Sequence, residues 1–211
     1  MKAVIFDLDG VLVRTDDLQY RAWKHLTDRE GIPFDRTLNN RLRGISRRAS
    51  LNVILESAHR TCSEEQAAEM MAYKNDYYLG LLDQLTPADL LPHVPELLQA
   101  LRAMGVHTAV GTSSRNAQQT LQRIGLSESF DAVVDGNEIT RAKPDPEVYL
   151  KAAEKLGERP ENCLVVEDAA AGIEAAKRGG MTAVGVSDAR KAALTDYRAE
   201  DILEIIDLLR K

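Results

Sequence analysis

Cysteine is scarce in this sequence. Cys62 and Cys163 are the only two, 101 positions apart, which excludes a disulfide framework and any clustered thiolate metal site. Both read as reduced thiols of a cytoplasmic protein. Histidine is scarce as well. His25, His59, His93 and His107 show no HxH or HxxxH spacing, so they are assigned to the surface or to caps and not to a metal. Long apolar runs are absent, and nothing approaches the roughly 20 residues of a membrane span. A secretory leader is not expected, because Asp7 and Asp9 interrupt what would be its apolar region. Positive charge is in deficit, and the net charge of −6 argues against nucleic acid as a general partner. What remains is a folded chain of 211 residues, 44% hydrophobic and 28% charged, long enough for one large domain or for a domain with a smaller insert.

Against that background one segment stands out. The apolar stretch Ala3-Val4-Ile5 runs into Phe6-Asp7-Leu8-Asp9-Gly10-Val11. Two carboxylates at the end of a buried strand cost several kcal/mol unless paired or metal-bound, so their presence points to chemistry. If the strand continues, alternation aims Asp7 and Asp9 the same way. A bare strand end turning into a loop is the plainer alternative, since Asp and Gly are common in turns.

Five short β-branched runs read as strands: 2–6, 106–111, 130–134, 163–167 and 181–186. From 106 onward helical patterns separate them, over about 114–124, 146–156 and 169–178, each stopped by glycine at 125, 157 and 179–180. That alternation predicts a Rossmann-like α/β fold, a parallel sheet covered by helices, with ligands bound beyond the carboxyl ends of the strands. Residues 14–91 break the rhythm with no strand and three helical patterns. Leu18, Ala22 and Leu26 share one face; Leu51, Ile54, Leu55 and Ala58 share another; a Ser63-x-x-Gln66 capping box opens the third, whose Met70, Met71 and Tyr78 read as packing residues. The expected division is a core of residues 1–14 and 92–211 with an all-helical cap of 15–91. Entry and exit lie near the catalytic end of the first strand, as in a lid on two hinges. The stretch 187–196 reads as irregular, and 202–209 as a closing amphipathic helix.

The chemistry-bearing residues follow the strands in turn. Asp7 and Asp9 follow the first, Thr112, Ser113 and Ser114 the second, Lys143 the third by one loop, and Glu167 and Asp168 end the fourth. A parallel sheet brings these ends to one edge. Four carboxylates there repel one another, and a divalent cation together with Lys143 relieves the repulsion. Hard oxygen ligands suit Mg²⁺, which also grips substrate phosphates. Thr112 and Lys143 suit phosphate oxygens.

The segments DLDGV, VGT112, Lys143-Pro144-Asp145 and Glu167-Asp168, in that order, resemble the four motifs of the haloacid dehalogenase superfamily of phosphotransferases, and the helical insert resembles its class 1 cap. Further segments resemble the sugar-phosphate mutases of that superfamily: Arg21-Ala22-Trp23-Lys24, Leu42-Arg43-Gly44-Ile45-Ser46-Arg47, Lys74-Asn75, Thr86-Pro87-Ala88-Asp89 and Ser113-Ser114-Arg115-Asn116. The resemblance implies interconversion of β-D-glucose 1-phosphate and glucose 6-phosphate, with one Mg²⁺ per site and glucose 1,6-bisphosphate as intermediate and activator. It implies Asp7 as nucleophile, Asp9 as general acid and base, and a metal held by Asp7, the Asp9 backbone carbonyl and Asp168, with Glu167 beside them. Thr112, Ser113 and Lys143 would hold the transferring phosphoryl group. Arg47, Ser114, Arg115 and Asn116 would hold a distal phosphate, while Trp23, Leu42, Gly44, Ser50 and Lys74 line the sugar pocket. By position alone each arginine reads as a surface charge, and Trp23 is divided between core and ligand.

The chain departs from that pattern at Arg14 and Arg48, where acidic residues are usual, at Arg115, which replaces a frequent lysine, and at Gln19, which replaces a histidine near the hinge. Gln19 hydrogen-bonds but cannot titrate, which keeps a sugar-phosphate phosphatase on the same scaffold as the alternative. A phospho-accepting receiver module also uses an aspartate, a lysine and Mg²⁺, but needs neither a second aspartate nor a lid. The expected partner is a small sugar phosphate, with no nucleic acid or membrane, bound to a cytoplasmic monomer.

Overall fold

The computed structural model describes residues 1–210. Its centre is a parallel sheet of six strands: β1 (Ala3–Phe6), β2 (His107–Gly111), β3 (Ala132–Val134), β4 (Cys163–Glu167), β5 (Thr182–Gly185) and β6 (Tyr197–Arg198), in the order β3-β2-β1-β4-β5-β6. Phe6 pairs with Val110 on one side and Val166 on the other, so the first strand is central. Every residue of β1 is buried, as a strand covered on both faces requires. Its side chains divide by alternation. Ala3 and Ile5 pack against α7 (Glu147–Lys155) and α8 (Ala170–Arg178), whereas Val4 and Phe6 face the layer of α5 (Val94–Ala103), α6 (Ala117–Arg123) and α9 (Glu204–Leu209). The chain winds outward from β1 to β3 and then crosses back to β4. The crevice of such a sheet opens at that reversal.

Between β1 and α5 lie four helices: α1 (Asp16–Glu30), α2 (Arg36–Asn40), α3 (Arg47–Ser57) and α4 (Glu64–Leu82). Trp23, Leu26, Phe34, Leu51, Ile54 and Ala67 give them an apolar centre of their own. Their base does not belong to that centre. Ala22, Tyr78, Leu81 and Leu82 join the core beneath the sheet, which splits the face that Leu18, Ala22 and Leu26 share. The two connecting segments are zipped together: Val13 bridges Leu90, Arg14 N donates to Asp89 O at 3.1 Å, and Leu91 N donates to Leu12 O at 3.0 Å.

The strand and helix positions follow the sequence reading with shifts of one to three residues. The Ser63–Gln66 capping box forms reciprocally, and Gly31, Gly125, Gly157 and Gly180 end their helices with positive φ. Several short elements were not expected, among them a 3-10 helix, Ser187–Lys191, in the stretch 187–196 that reads as irregular. The sheet has a sixth strand, only two residues long, too short to show a period. The insert carries a fourth helix, α2, a single turn capped by Asp35. Helix α5 follows the exit segment in a stretch to which the sequence reading gave no element, and Pro95 sits in its first turn, where proline is tolerated. Among the described residues no helix is long and apolar enough to cross a membrane.

Candidate active site

Strand β1 ends at Phe6, so the two aspartates do not converge by alternation. Asp7 N still donates to Val166 O at 3.0 Å, and the chain then turns, with Leu12 N bonded to Leu8 O at 3.0 Å. Gly10 takes φ +83° in this turn, and a Cβ there would stand 2.0 Å from Asp168 Oδ2, so the backbone approaches the β4 carboxylate as only glycine permits. The turn returns Asp9 to the same cavity as Asp7, where Thr15 donates its hydroxyl to Asp9 Oδ1.

Lys143 is fully buried and donates to Asp7 Oδ1 at 2.7 Å and Glu167 Oε1 at 2.6 Å. Burial alone would lower its pKa, but Asp7 and Glu167 carry it above the ordinary lysine value. Burial pushes Asp7 up, and Glu167, Asp168 and Asp9 push the same way, while Lys143 opposes them. Asp168 rises to about 7, through burial first and Glu167 next, against Arg43. Burial likewise raises Asp9, with the Thr15 hydroxyl opposing. So many crowded carboxylates with one lysine call for a further cation. Asp7, Glu167 and Asp168 each bring an oxygen within 4.8 Å of the others, a hard-oxygen set that fits Mg²⁺. Glu167 is already engaged: it accepts from Lys143, from the Tyr149 hydroxyl at 2.5 Å, and from the backbone N–H of Asp168 and Ala169. Lys143 takes Asp7 Oδ1 and Arg43 takes Asp168 Oδ2, so the carboxylate oxygens left for a cation are Asp7 Oδ2 and Asp168 Oδ1.

These carboxylates form one pole of a cavity of about 550 Å³. The opposite pole is cationic. Arg47 at the start of α3, Lys74 on α4 and Arg115 after β2 line it, and among the described residues none of the three has an ion-pair partner. Burial and then Arg115 lower the pKa of Arg47. Asn116 Nδ2 crosses from the core to Asn75 Oδ1 on α4 at 2.9 Å. Between the poles lie Thr112, whose Oγ1 accepts from Ser114 N at 3.1 Å, and Ser113, whose buried hydroxyl has no partner. A buried hydroxyl and three cations without ion-pair partners in one cavity suit an anionic ligand.

Of the candidate catalytic, binding and metal residues named from the sequence, only Glu167 does not line the cavity. Trp23, Leu42, Gly44 and Ser50 reach it from the helical insert, and Trp23 and Leu42 also belong to the insert's apolar centre. Gly44, at φ +74°, brings the insert to within close contact of Ala169. Tyr78, read as packing, both packs and lines the cavity. Two residues escaped the sequence reading. Tyr149 clamps Glu167, and no charge marks it. Arg43, inside a matched segment, pairs with Asp168 and reaches Asp188 at 2.8 Å, so it ties the insert to the core.

Comparisons with known proteins agree with this geometry. Residues 1–180 match the family model described as haloacid dehalogenase-like hydrolase. The chain is 45% identical over 188 residues to the β-phosphoglucomutase of Bacillus subtilis strain 168, covering 88% of this chain and 83% of that protein. It is 34% identical to the phosphorylated carbohydrates phosphatase of Thermotoga maritima, covering 86% of this chain and 82% of that one. The crystal structure of β-phosphoglucomutase from Clostridium difficile superposes with a TM-score of 0.94 at 34% identity, over all of this chain and 96% of that one.

Proposed function

The chain belongs to the haloacid dehalogenase-like hydrolase family, and from that membership we propose that it interconverts β-D-glucose 1-phosphate and glucose 6-phosphate as a β-phosphoglucomutase. The observation that carries the reading is the second, cationic pole. A phosphatase needs one phosphate site, whereas a mutase must hold a bisphosphate in two orientations and needs two. Arg47 and Arg115 offer forked donors for the second phosphate.

In this reading Asp7 attacks phosphorus, the bond to the sugar oxygen breaks, and Asp9 protonates that leaving oxygen. The sugar, as glucose 1,6-bisphosphate in one direction, is held by its other phosphate at Arg47, Ser114, Arg115 and Asn116. In the reverse half-reaction Asp9 takes the proton of the attacking hydroxyl, and the phosphoryl group leaves Asp7. Thr112, Ser113 and Lys143 hold the phosphoryl oxygens, and positioning of this kind supplies most of phosphoryl-transfer catalysis. A magnesium ion on Asp7, Asp168 and the Asp9 backbone carbonyl supplies charge neutralisation when bound. Residues 15–91 act as the lid and residues 1–14 with 92–211 as the phosphotransferase core, so closure excludes the water that would otherwise hydrolyse the phosphoenzyme. The same reading takes glucose 1,6-bisphosphate as activator and the enzyme as a cytoplasmic monomer that binds no nucleic acid. The phosphatase reading has support in the 34% identical Thermotoga maritima protein.

The test separates the two poles. Arg47→Ala is expected to lower kcat/KM for the mutase reaction by roughly 10- to 100-fold, the worth of a hydrogen bond to a charged group. Hydrolysis of acetyl phosphate, which has no second phosphate, should change little. Equal losses in both reactions would remove the distal phosphate site.

A further inference from the structure

Lys74 is the one buried basic group of the cavity to which the reaction above gives no step. It is 3% exposed. Its Nζ donates to Gln19 Oε1 at 2.6 Å and lies over the rings of Tyr78 at 4.3 Å and Trp23 at 4.9 Å. Each element packed around it presents a different group. From α1 come Gln19 and Trp23, both uncharged. From α4 comes Tyr78, which burial holds in its neutral form. From α3 comes Arg47, which repels a second cation. From the turn after β1 comes Asp9, which attracts it weakly from beyond ion-pair distance and bonds instead to Thr15. Arg115, from the core, adds positive charge near Arg47.

An ammonium in such a place has lost its water and gained no counter-charge. Cation–π contact and one amide oxygen offset only part of that cost, and a lysine so placed gives up its proton. Gln19 is decisive here, because an amide neither carries charge nor titrates. A carboxylate at position 19 would fix Lys74 in the charged form. A phosphate seated on Arg47 would do the same, but only while bound.

We propose that Gln19 and Lys74 form a proton-linked sensor of the ligand's second phosphate: Lys74 rests as the free amine against Gln19 and the two aromatic rings, and takes one proton from solvent when a phosphate seats against Arg47. The inference rests on the second-phosphate reading above and extends it to pH. Burial, then Arg47, lowers the Lys74 pKa to about 7 despite Asp9, so at pH 8 the empty site holds mainly the amine. The sign follows from linkage. A complex that binds one more proton than the free protein weakens as pH rises, by about tenfold per pH unit above 7 until the bound amine itself titrates. Ligand phosphates work in the opposite sense, since cations favour their fully ionised form and any proton they exchange is released.

The experiment is calorimetric titration of the full chain with glucose 1,6-bisphosphate at pH 8, with EDTA present, in buffers of different ionisation enthalpy. Wild type should take up close to one proton more than Lys74→Met, and Gln19→Glu should abolish the excess. Wild type and Lys74→Met taking up the same number would overturn the sensor while leaving the second phosphate site standing. Failure of the bisphosphate to bind wild type, with glucose 6-phosphate still bound, would overturn the two-phosphate reading and the sensor with it. As a readout that needs no variant, the side-chain carbon NMR signals of the wild-type lysines should include one titrating near 7 that loses this midpoint when the bisphosphate is added. All lysines titrating in the ordinary range, near 10, would contradict the proposal.

Discussion

At the scale of single residues, Glu167 shows how a charge can stand in the centre of a site and be fully engaged by the protein's own donors. It is wholly buried, and both its oxygens are occupied by Lys143, Tyr149 and two backbone N–H groups. Lys143 bonds Glu167 and Asp7 together, and the Tyr149 hydroxyl holds the same Glu167 oxygen, so we propose Glu167 and Tyr149 as positioning residues. Tyr149→Phe keeps the ring that lies 4.7 Å from Lys143 Nζ and removes only the hydroxyl. We expect that change to cost about 1.5–3 kcal/mol of stability, the range for a hydrogen bond to a charged group. Urea unfolding measures it, and a loss near zero would mean that the Glu167 oxygen is satisfied without Tyr149. The sequence shows Asp7, Thr112, Lys143 and Asp168 openly, because each closes an apolar run or follows one by a short loop. It hides Tyr149 and Arg43. One is uncharged on a helix face, and the other acquires its meaning only from Asp168 and Asp188, both more than 120 positions away along the chain.

At the scale of elements, the site depends on loops held by side chains. The segment before α7 presents Lys143, and Glu147, from the first turn of that helix, braces it. Glu147 accepts from Arg141 N at 2.8 Å, from Thr140 N at 3.1 Å and from the Thr140 hydroxyl at 2.9 Å. Lys151, then the Arg141 N–H, hold the Glu147 pKa down to about 2, so the brace keeps its charge above that pH and weakens only as pH falls through it. Glu147→Gln should therefore speed amide exchange at 140 and 141 several-fold and lower kcat with KM nearly unchanged. Unchanged exchange would show that the loop is held by other means. Strands and long helices were readable from apolar periodicity and glycine stops. Helix α2 and strand β6 were not, because one helical turn or two strand residues carry no period, and α5 was given no element although its Leu97 and Leu101 share one buried face.

At the scale of the molecule, the insert and core meet along two lines. At its base, the paired connecting segments and the packing of Ala22, Tyr78, Leu81 and Leu82 anchor the insert to the sheet layer. Across the cavity mouth, Arg43 reaches Asp168 and Asp188, and Asn75 meets Asn116. The sequence made the interruption of the sheet pattern at 14–91 visible, but not that its lower face belongs to the core, since a helix pattern does not say which layer it covers. The proposed closure of the insert over an acidic and a cationic pole is the centre of the functional account.

The most direct measurement supplies β-D-glucose 1-phosphate, Mg²⁺ and a trace of glucose 1,6-bisphosphate, and follows glucose 6-phosphate and free phosphate together. The account predicts glucose 6-phosphate as the main product, with little free phosphate and no turnover of the α-anomer. Free phosphate as the main product would contradict it and make the enzyme a sugar-phosphate phosphatase.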